Sequence, residues 1–168
     1  MATIPLFRVE DYLSRTYRPD REYIDGVVVE RNVGEYDHAR LQAKLVHWFM
    51  THEEEWKIRV VPEQRMQVAP LRYRVPDVTI LAREQPIEQV FTHPPLAVIE
   101  VVSPEDSLRG YQERIADYLN FGIGHVWILD PALRKAWTAH RNQLAEATEL
   151  RIPGSDIYIS LPEIFEAT

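Results

Sequence analysis

The sequence predicts one α/β (α+β) domain over residues 1–168, a mixed central β-sheet flanked by helices. Three observations point there. A chain of 168 residues has the length of one domain with one sizeable core. Short apolar runs of strand character alternate with stretches of helical periodicity. Proline and glycine fall between these runs and punctuate them.

Residues 9–17 set Val9, Tyr12, Leu13 and Tyr17 on one side of a short helix, which Arg18-Pro19-Asp20 ends. Residues 22–31 read as a hairpin, with Tyr23 and Ile24 before the turn pair Asp25-Gly26 and Val27-Val28-Val29 after it. Gly34 precedes a long helix over 36–54, whose Leu41, Leu45, Trp48 and Phe49 recur at helical spacing. The run Glu53-Glu54-Glu55 reads as its solvated end. Residues 58–68 form the next strand, and Pro70-Leu71-Arg72-Tyr73 turns it into a strand over 74–81. Residues 83–95 hold Pro86, Pro94 and Pro95 and read as a surface loop. A strand over 96–102 follows, then Ser103-Pro104-Glu105-Asp106, a good helix opening: serine cap, proline in the first turn, acids at the positive end of the dipole. That helix runs to Phe121 and stops at Gly122 and Gly124. Residues 125–129 are a buried strand ended by Asp130-Pro131. Residues 134–141 and 148–152 read as short edge strands, and 161–167 as a terminal helical turn.

Composition narrows the functional classes. No run approaches the length of a membrane span, and the first residues lack the regions of a signal peptide, so a cytoplasmic protein with no membrane partner is expected. The absence of cysteine excludes disulfides, thiolate chemistry and cysteine-ligated zinc. A net charge of −7 argues against a protein coated in nucleic acid. Yet the positive charge is lopsided: Lys44, Lys57 and Lys135 are the only lysines among 19 basic residues, the rest being arginine, which suits bidentate contacts to phosphate or carboxylate.

Two apolar strands are each interrupted by one carboxylate: Arg74-Val75-Pro76-Asp77-Val78-Thr79-Ile80-Leu81 and Leu96-Ala97-Val98-Ile99-Glu100-Val101-Val102-Ser103-Pro104. A buried ionised carboxylate costs on the order of several kcal/mol unless something positive meets it. Strand side chains alternate, so Asp77 shares a face with Val75 and Thr79, and Glu100 with Val98 and Val102. If the two strands pair, Asp77 and Glu100 converge on one cation, with a backbone carbonyl beside Glu100 as a third oxygen. Such hard oxygens suit Mg2+ or Mn2+. Strand-end carboxylates or buried salt bridges produce the same pattern.

Asp77 after a proline, then Glu100 in an apolar strand, resembles the PD-(D/E)XK nuclease superfamily. More narrowly, the chain is similar to the bacterial Uma-two family of restriction endonucleases. The carrying segments are Glu22-Tyr23-Ile24-Asp25-Gly26, Arg74-Val75-Pro76-Asp77-Val78, Ile99-Glu100-Val101-Val102-Ser103-Pro104-Glu105-Asp106 and Gln112-Glu113-Arg114-Ile115-Ala116-Asp117-Tyr118, continued through Phe121-Gly122 to Val126-Trp127-Ile128-Leu129-Asp130-Pro131. The resemblance implies a restriction-endonuclease-like core and phosphodiester cleavage of DNA that depends on a divalent metal. It implies Asp77 and Glu100 as metal ligands, the Val101 carbonyl beside them, and Glu22 touching the same metal through water. A homodimer, one site per strand, follows by analogy.

One residue departs from the superfamily pattern. Val102 stands where the signature lysine belongs, and no lysine lies nearby. The related family often draws a cation from the following helix, which Arg114 matches. A helical wheel anchored on Ile115 places Leu108, Tyr111, Tyr118 and Leu119 in the buried stripe, Gln112 inside it and Arg114 at its border. Gln112 and Arg114 are therefore the expected catalytic partners, orienting water or contacting phosphate. Neither titrates as a strong general base. His38, His47 and His52 lack the spacing of a helical ligand pair, and Arg65, Arg72 and Arg74 read as salt-bridge or phosphate residues. The missing lysine and the acidic charge support a rival reading, a catalytically degenerate domain of the same fold that binds nucleic acid or forms oligomers.

Overall fold

The computed structural model describes residues 6–31, 35–141 and 143–166, so Gly34 and Ala167, expected at the start of one helix and the end of another, lie outside the described residues. The chain begins with α1 (Val9–Leu13), then β1 (Arg21–Ile24) and β2 (Val27–Glu30), a hairpin turned by Asp25 and Gly26 at φ of 49° and 90°. Those left-handed angles are what a two-residue turn of this twist requires. Next come α2 (Tyr36–Thr51) and α3 (Glu53–Trp56), the expected long helix broken at His52, whose φ of −109° leaves the helical range.

The expected strand over 58–68 is two strands in two sheets, β3 (Ile58–Pro62) and β4 (Met66–Ala69). The next is likewise divided, into β5 (Arg72–Arg74) and β6 (Val78–Ala82). Pro76 explains the second break, since it has no N–H for a ladder. The chain continues through β7 (Ala97–Val101), α4 (Leu108–Phe121), β8 (His125–Asp130) and β9 (Lys135–His140) to β10 (Gln143–Ala147). It closes with β11 (Leu150–Arg151), β12 (Tyr158–Ile159) and α5 (Leu161–Phe165).

The main sheet runs β10-β9-β8-β7-β6-β3, and a smaller one runs β2-β1-β5-β4. Among the described residues only β7 and β8 pair in parallel within the main sheet, and α4 makes the crossover between them. The sheet is mixed, as expected. The sequence misplaced its edge: β9 is second from the end, and β10 is the outer strand. Every described residue of β10 except Ala147 is exposed, so it carries little of the apolar signal that marks buried strands.

Period-two alternation divides the core. Val78, Ile80, Ala97, Ile99, Val101, Trp127 and Leu129 face α2, where Leu41, Leu45 and Phe49 meet them. Leu81, Val98, Val126 and Ile128 face the other way, onto Ile115 and Tyr118 of α4. Burying each such side chain stabilises the fold by about 1.5–3 kcal/mol. The helix start expected at Ser103 lies four residues later. Ser107 is the cap, its hydroxyl accepting from Gly110 N–H at 3.0 Å. Residues 103–106 instead close a turn in which Asp106 accepts from Ser103 N–H at 2.9 Å. Gly122, at φ of 102°, ends α4.

Candidate active site

The sheet register builds the centre of the site. β6 and β7 are antiparallel with Val78 opposite Ile99, so one step further sets Asp77 opposite Glu100. Directly opposed residues stand about 5 Å apart at Cβ. Glu100 points to the α4 side with Val98, while Asp77, in the bend before β6, sits at the end of the sheet where His38 of α2 reaches it. Both carboxylates are 1% exposed. Asp77 ends its own ladder: its side-chain Oδ2 accepts from Val101 N–H at 2.7 Å, and its carbonyl accepts from Gln42 Nε2 at 2.9 Å.

Cations surround this pair. Asp77 Oδ1 accepts from the Arg31 guanidinium, and His38 Nε2 lies 3.3 Å from Oδ2. Glu100 Oε2 accepts from Arg114 at 3.0 Å, and Oε1 accepts from the Tyr118 hydroxyl. A cleft of about 140 Å³ opens here, lined by Arg31, His38, Gln42, Asp77, Val101 and Arg114 among others. Burial alone would push the Asp77 carboxyl up, but the His38 hydrogen bond and the Arg31 charge outweigh it and hold it below the ordinary range. Glu100 goes the opposite way. Burial pushes it up to about 7 against the pull of Arg114, and the Asp77 charge adds to the rise. Burial opposes the His38 proton, but contact with Asp77 raises it above the usual histidine value. Two carboxylates pushed apart in this way are a common feature of working sites.

A second set of charges supports the first. Glu22, 2% exposed, accepts from Arg74 at 2.7 Å and from Val75 N–H at 3.1 Å. Arg74 also donates to Asp117 at 2.7 Å, and Arg72 joins the same carboxylate. Glu22 thus clamps the segment before Asp77 to β1, and Asp117 ties that segment to α4. Arg114 Nε stands 4.0 Å from Glu22, linking the two clusters.

Of the residues expected from sequence, Asp77, Glu100, Val101 and Arg114 come together. Glu22 lies in the adjoining cluster with both oxygens engaged by Arg74 and Val75. Gln112 does not join them. It is exposed and lines a groove with His140 and Leu144 on the far side of α4. The wheel centred the buried stripe on Ile115, whereas the helix is turned so that Tyr118 is fully buried and Leu108 is 74% exposed. That rotation brings Arg114 inward and carries Gln112 out. Val102, at the lysine position, packs against the α4-side core.

Sequence reasoning missed Arg31 and His38. Arg31 follows the last residue of β2, where no motif marks it. His38 has no histidine partner at ligand spacing; its partner is a carboxylate 39 residues on. Tyr118 sits in the core stripe expected of it, and its hydroxyl is the part that reaches Glu100.

The donor set fits a hard divalent cation. Two buried carboxylates stand at the end of the β6–β7 pair, Asp77 Oδ1 and both Glu100 oxygens each keep a second lone pair, and the Val101 backbone is adjacent. Among the described residues no three His, Asp or Glu side chains form a ready cage, so the protein would supply two carboxylates and a backbone oxygen.

No curated protein sequence matches the chain. Its fold matches the crystal structure of "a putative nuclease belonging to DUF820 from Anabaena variabilis ATCC 29413", with a TM-score of 0.79 and 20% identity, over 93% of this chain and 96% of that one. The sequence profile of the Uma2 family, described as "Putative restriction endonuclease", matches residues 9–167. With nearly its whole length inside that match, the chain belongs to the Uma2 family of nuclease-like proteins.

Proposed function

We propose that the protein is an endonuclease that hydrolyses phosphodiester bonds of DNA with Mg2+ or Mn2+. The observation that carries this is the placing of Asp77 opposite Glu100, both buried, beside a cleft whose wall holds Arg114. Asp77 and Glu100 would hold the ion, with the Val101 carbonyl as a third oxygen. When bound, the ion supplies a water of lowered pKa and offsets charge on a phosphoryl oxygen.

The chain's own groups do the rest. The Tyr118 hydroxyl fixes Glu100 from behind, and Val101 N–H fixes Asp77. Arg114 stays protonated at any working pH, so it serves by positioning and neutralising phosphate and not by moving a proton. It is only 17% exposed at the side chain, and low dielectric strengthens its field at the cleft. Glu22 acts through Arg74 and the segment before Asp77, as a positioning residue. A homodimer would present one such site to each strand of a duplex. No helix among the described residues is long and apolar enough to cross a membrane.

Cleavage of duplex DNA with Mg2+ or Mn2+, wild type against Asp77→Ala, tests this reading. Wild-type cleavage that Asp77→Ala reduces by roughly a thousandfold is expected, the scale of a lost charge-stabilising group. Equal cleavage by both proteins, or none by either, would sink it. One observation favours a second reading: each carboxylate already meets a guanidinium. On that reading the domain binds nucleic acid without a metal and cuts nothing. Manganese titration by calorimetry separates the two, since heat that depends on Glu100 belongs only to the first.

A further inference from the structure

Asp77 and Glu100 are held by the same plan. One oxygen of each is anchored by the framework: Asp77 Oδ2 by Val101 N–H at 2.7 Å, with His38 at 3.3 Å, and Glu100 Oε1 by Tyr118. The other oxygen of each meets a guanidinium: Arg31 on Asp77 Oδ1 and Arg114 on Glu100 Oε2. The anchors come from β7, α2 and α4, so neither arginine is needed to fix its carboxylate. Both arginines line the cleft, with side chains 13% and 17% exposed against 2% and 1% for the carboxylates.

Charge makes the pattern informative. The guanidiniums of Arg31 and Arg114 offset the charge of Asp77 and Glu100, and His38 adds to that offset at Asp77. A divalent cation on the carboxylates would compete with both guanidiniums for the same oxygens and free them to meet another anion at the cleft wall. Val102 brings no positive charge to this cleft.

We propose that Arg31 is a phosphate-binding residue of this site, neutralising Asp77 in the metal-free protein and binding the DNA backbone once a divalent cation takes over that charge. The inference rests on the nuclease reading and adds a residue to it. Arginine suits the task, being permanently charged with a planar fork of donors that matches phosphate. Arg31 lies one residue beyond the end of β2, so moving its side chain breaks no ladder.

The test uses the full chain, wild type against Arg31→Gln and Arg31→Lys, with Mn2+ titrated by calorimetry and duplex DNA binding measured in Ca2+ across salt. Arg31→Gln is expected to bind Mn2+ about 10-fold tighter, because a competing cation is gone. It is expected to bind DNA about 10-fold more weakly, with the salt slope reduced by about 0.9, the signature of one lost phosphate contact. Arg31→Lys keeps the wild-type slope. A purely structural Arg31 would weaken both affinities together, and that result overturns the proposal, as does an unchanged DNA slope. If Arg31→Gln does not fold, wild type in Ca2+ against wild type in chelator reads the same event. A steeper slope in Ca2+ supports the proposal, and an equal slope overturns it. Glu100→Gln in the same titration keeps the two readings apart. Mn2+ heat that is absent, or indifferent to Glu100→Gln, removes the nuclease reading and this proposal with it. Glu100-dependent heat with an unaltered Arg31→Gln slope removes this proposal alone.

Discussion

Two clusters of buried charge lie side by side in this molecule, built from the same residue types and arranged to opposite ends. In the first, Arg74 sits between Glu22 and Asp117, and its side chain is 6% exposed. In the second, Arg31 and Arg114 meet Asp77 and Glu100 from the wall of an open cleft. The first is closed. It sews the small sheet to α4 and holds the segment that presents Asp77. The second has carboxylates sealed in the sheet and cations that reach a solvent-filled space. A carboxylate in an apolar strand therefore does not by itself mark a working site; what its partner can reach does.

Breaking the closed cluster should cost most. Arg74→Ala takes the guanidinium from buried Glu22 and leaves Asp117 to Arg72 alone, and urea unfolding should show a loss of about 3 kcal/mol. A pH-dependent effect of similar size should mark the open cluster. Glu100 is pushed up from 4.5 to about 7, so between those values the folded protein holds a proton that the unfolded chain has released. Unfolding free energy attributable to this group therefore falls as pH rises through that window and levels off above it, by about 3 kcal/mol. Urea midpoints from pH 4.5 to 8 in chelator, compared with Glu100→Gln, isolate that fall, and the variant should lack it. Tyr118→Phe should cost about 1–2 kcal/mol in the same unfolding assay by removing the anchor of Glu100. Smallest of all, Gln112→Ala should leave stability within about 0.5 kcal/mol and cleavage unchanged, since the residue faces away from both clusters.

Much of this was legible in the sequence. Alternation along Val98-Ile99-Glu100-Val101 fixed which face Glu100 takes, and the Pro76-Asp77 pair marked the carboxylate opposite it. The crossover helix and its glycine stop were equally plain. What the sequence hid depends on rotation and on distance along the chain. A wheel centred on Ile115 could not tell that Tyr118 lies deeper, and that turn of α4 decided between Arg114 and Gln112. Arg31 and His38 reach Asp77 from 46 and 39 residues away, through a pairing that no local spacing encodes. The edge strand β10 escaped because its exposed residues leave it no apolar period.

Everything proposed for this molecule turns on Asp77 and Glu100 holding one divalent cation between them. A crystal soaked in Mn2+ and measured for anomalous scattering tests it most directly. One strong peak beside Asp77 and Glu100 is expected, with the Arg31 and Arg114 guanidiniums displaced from these carboxylates into the cleft. A map with no peak there, and both guanidiniums still on their carboxylates, would contradict it.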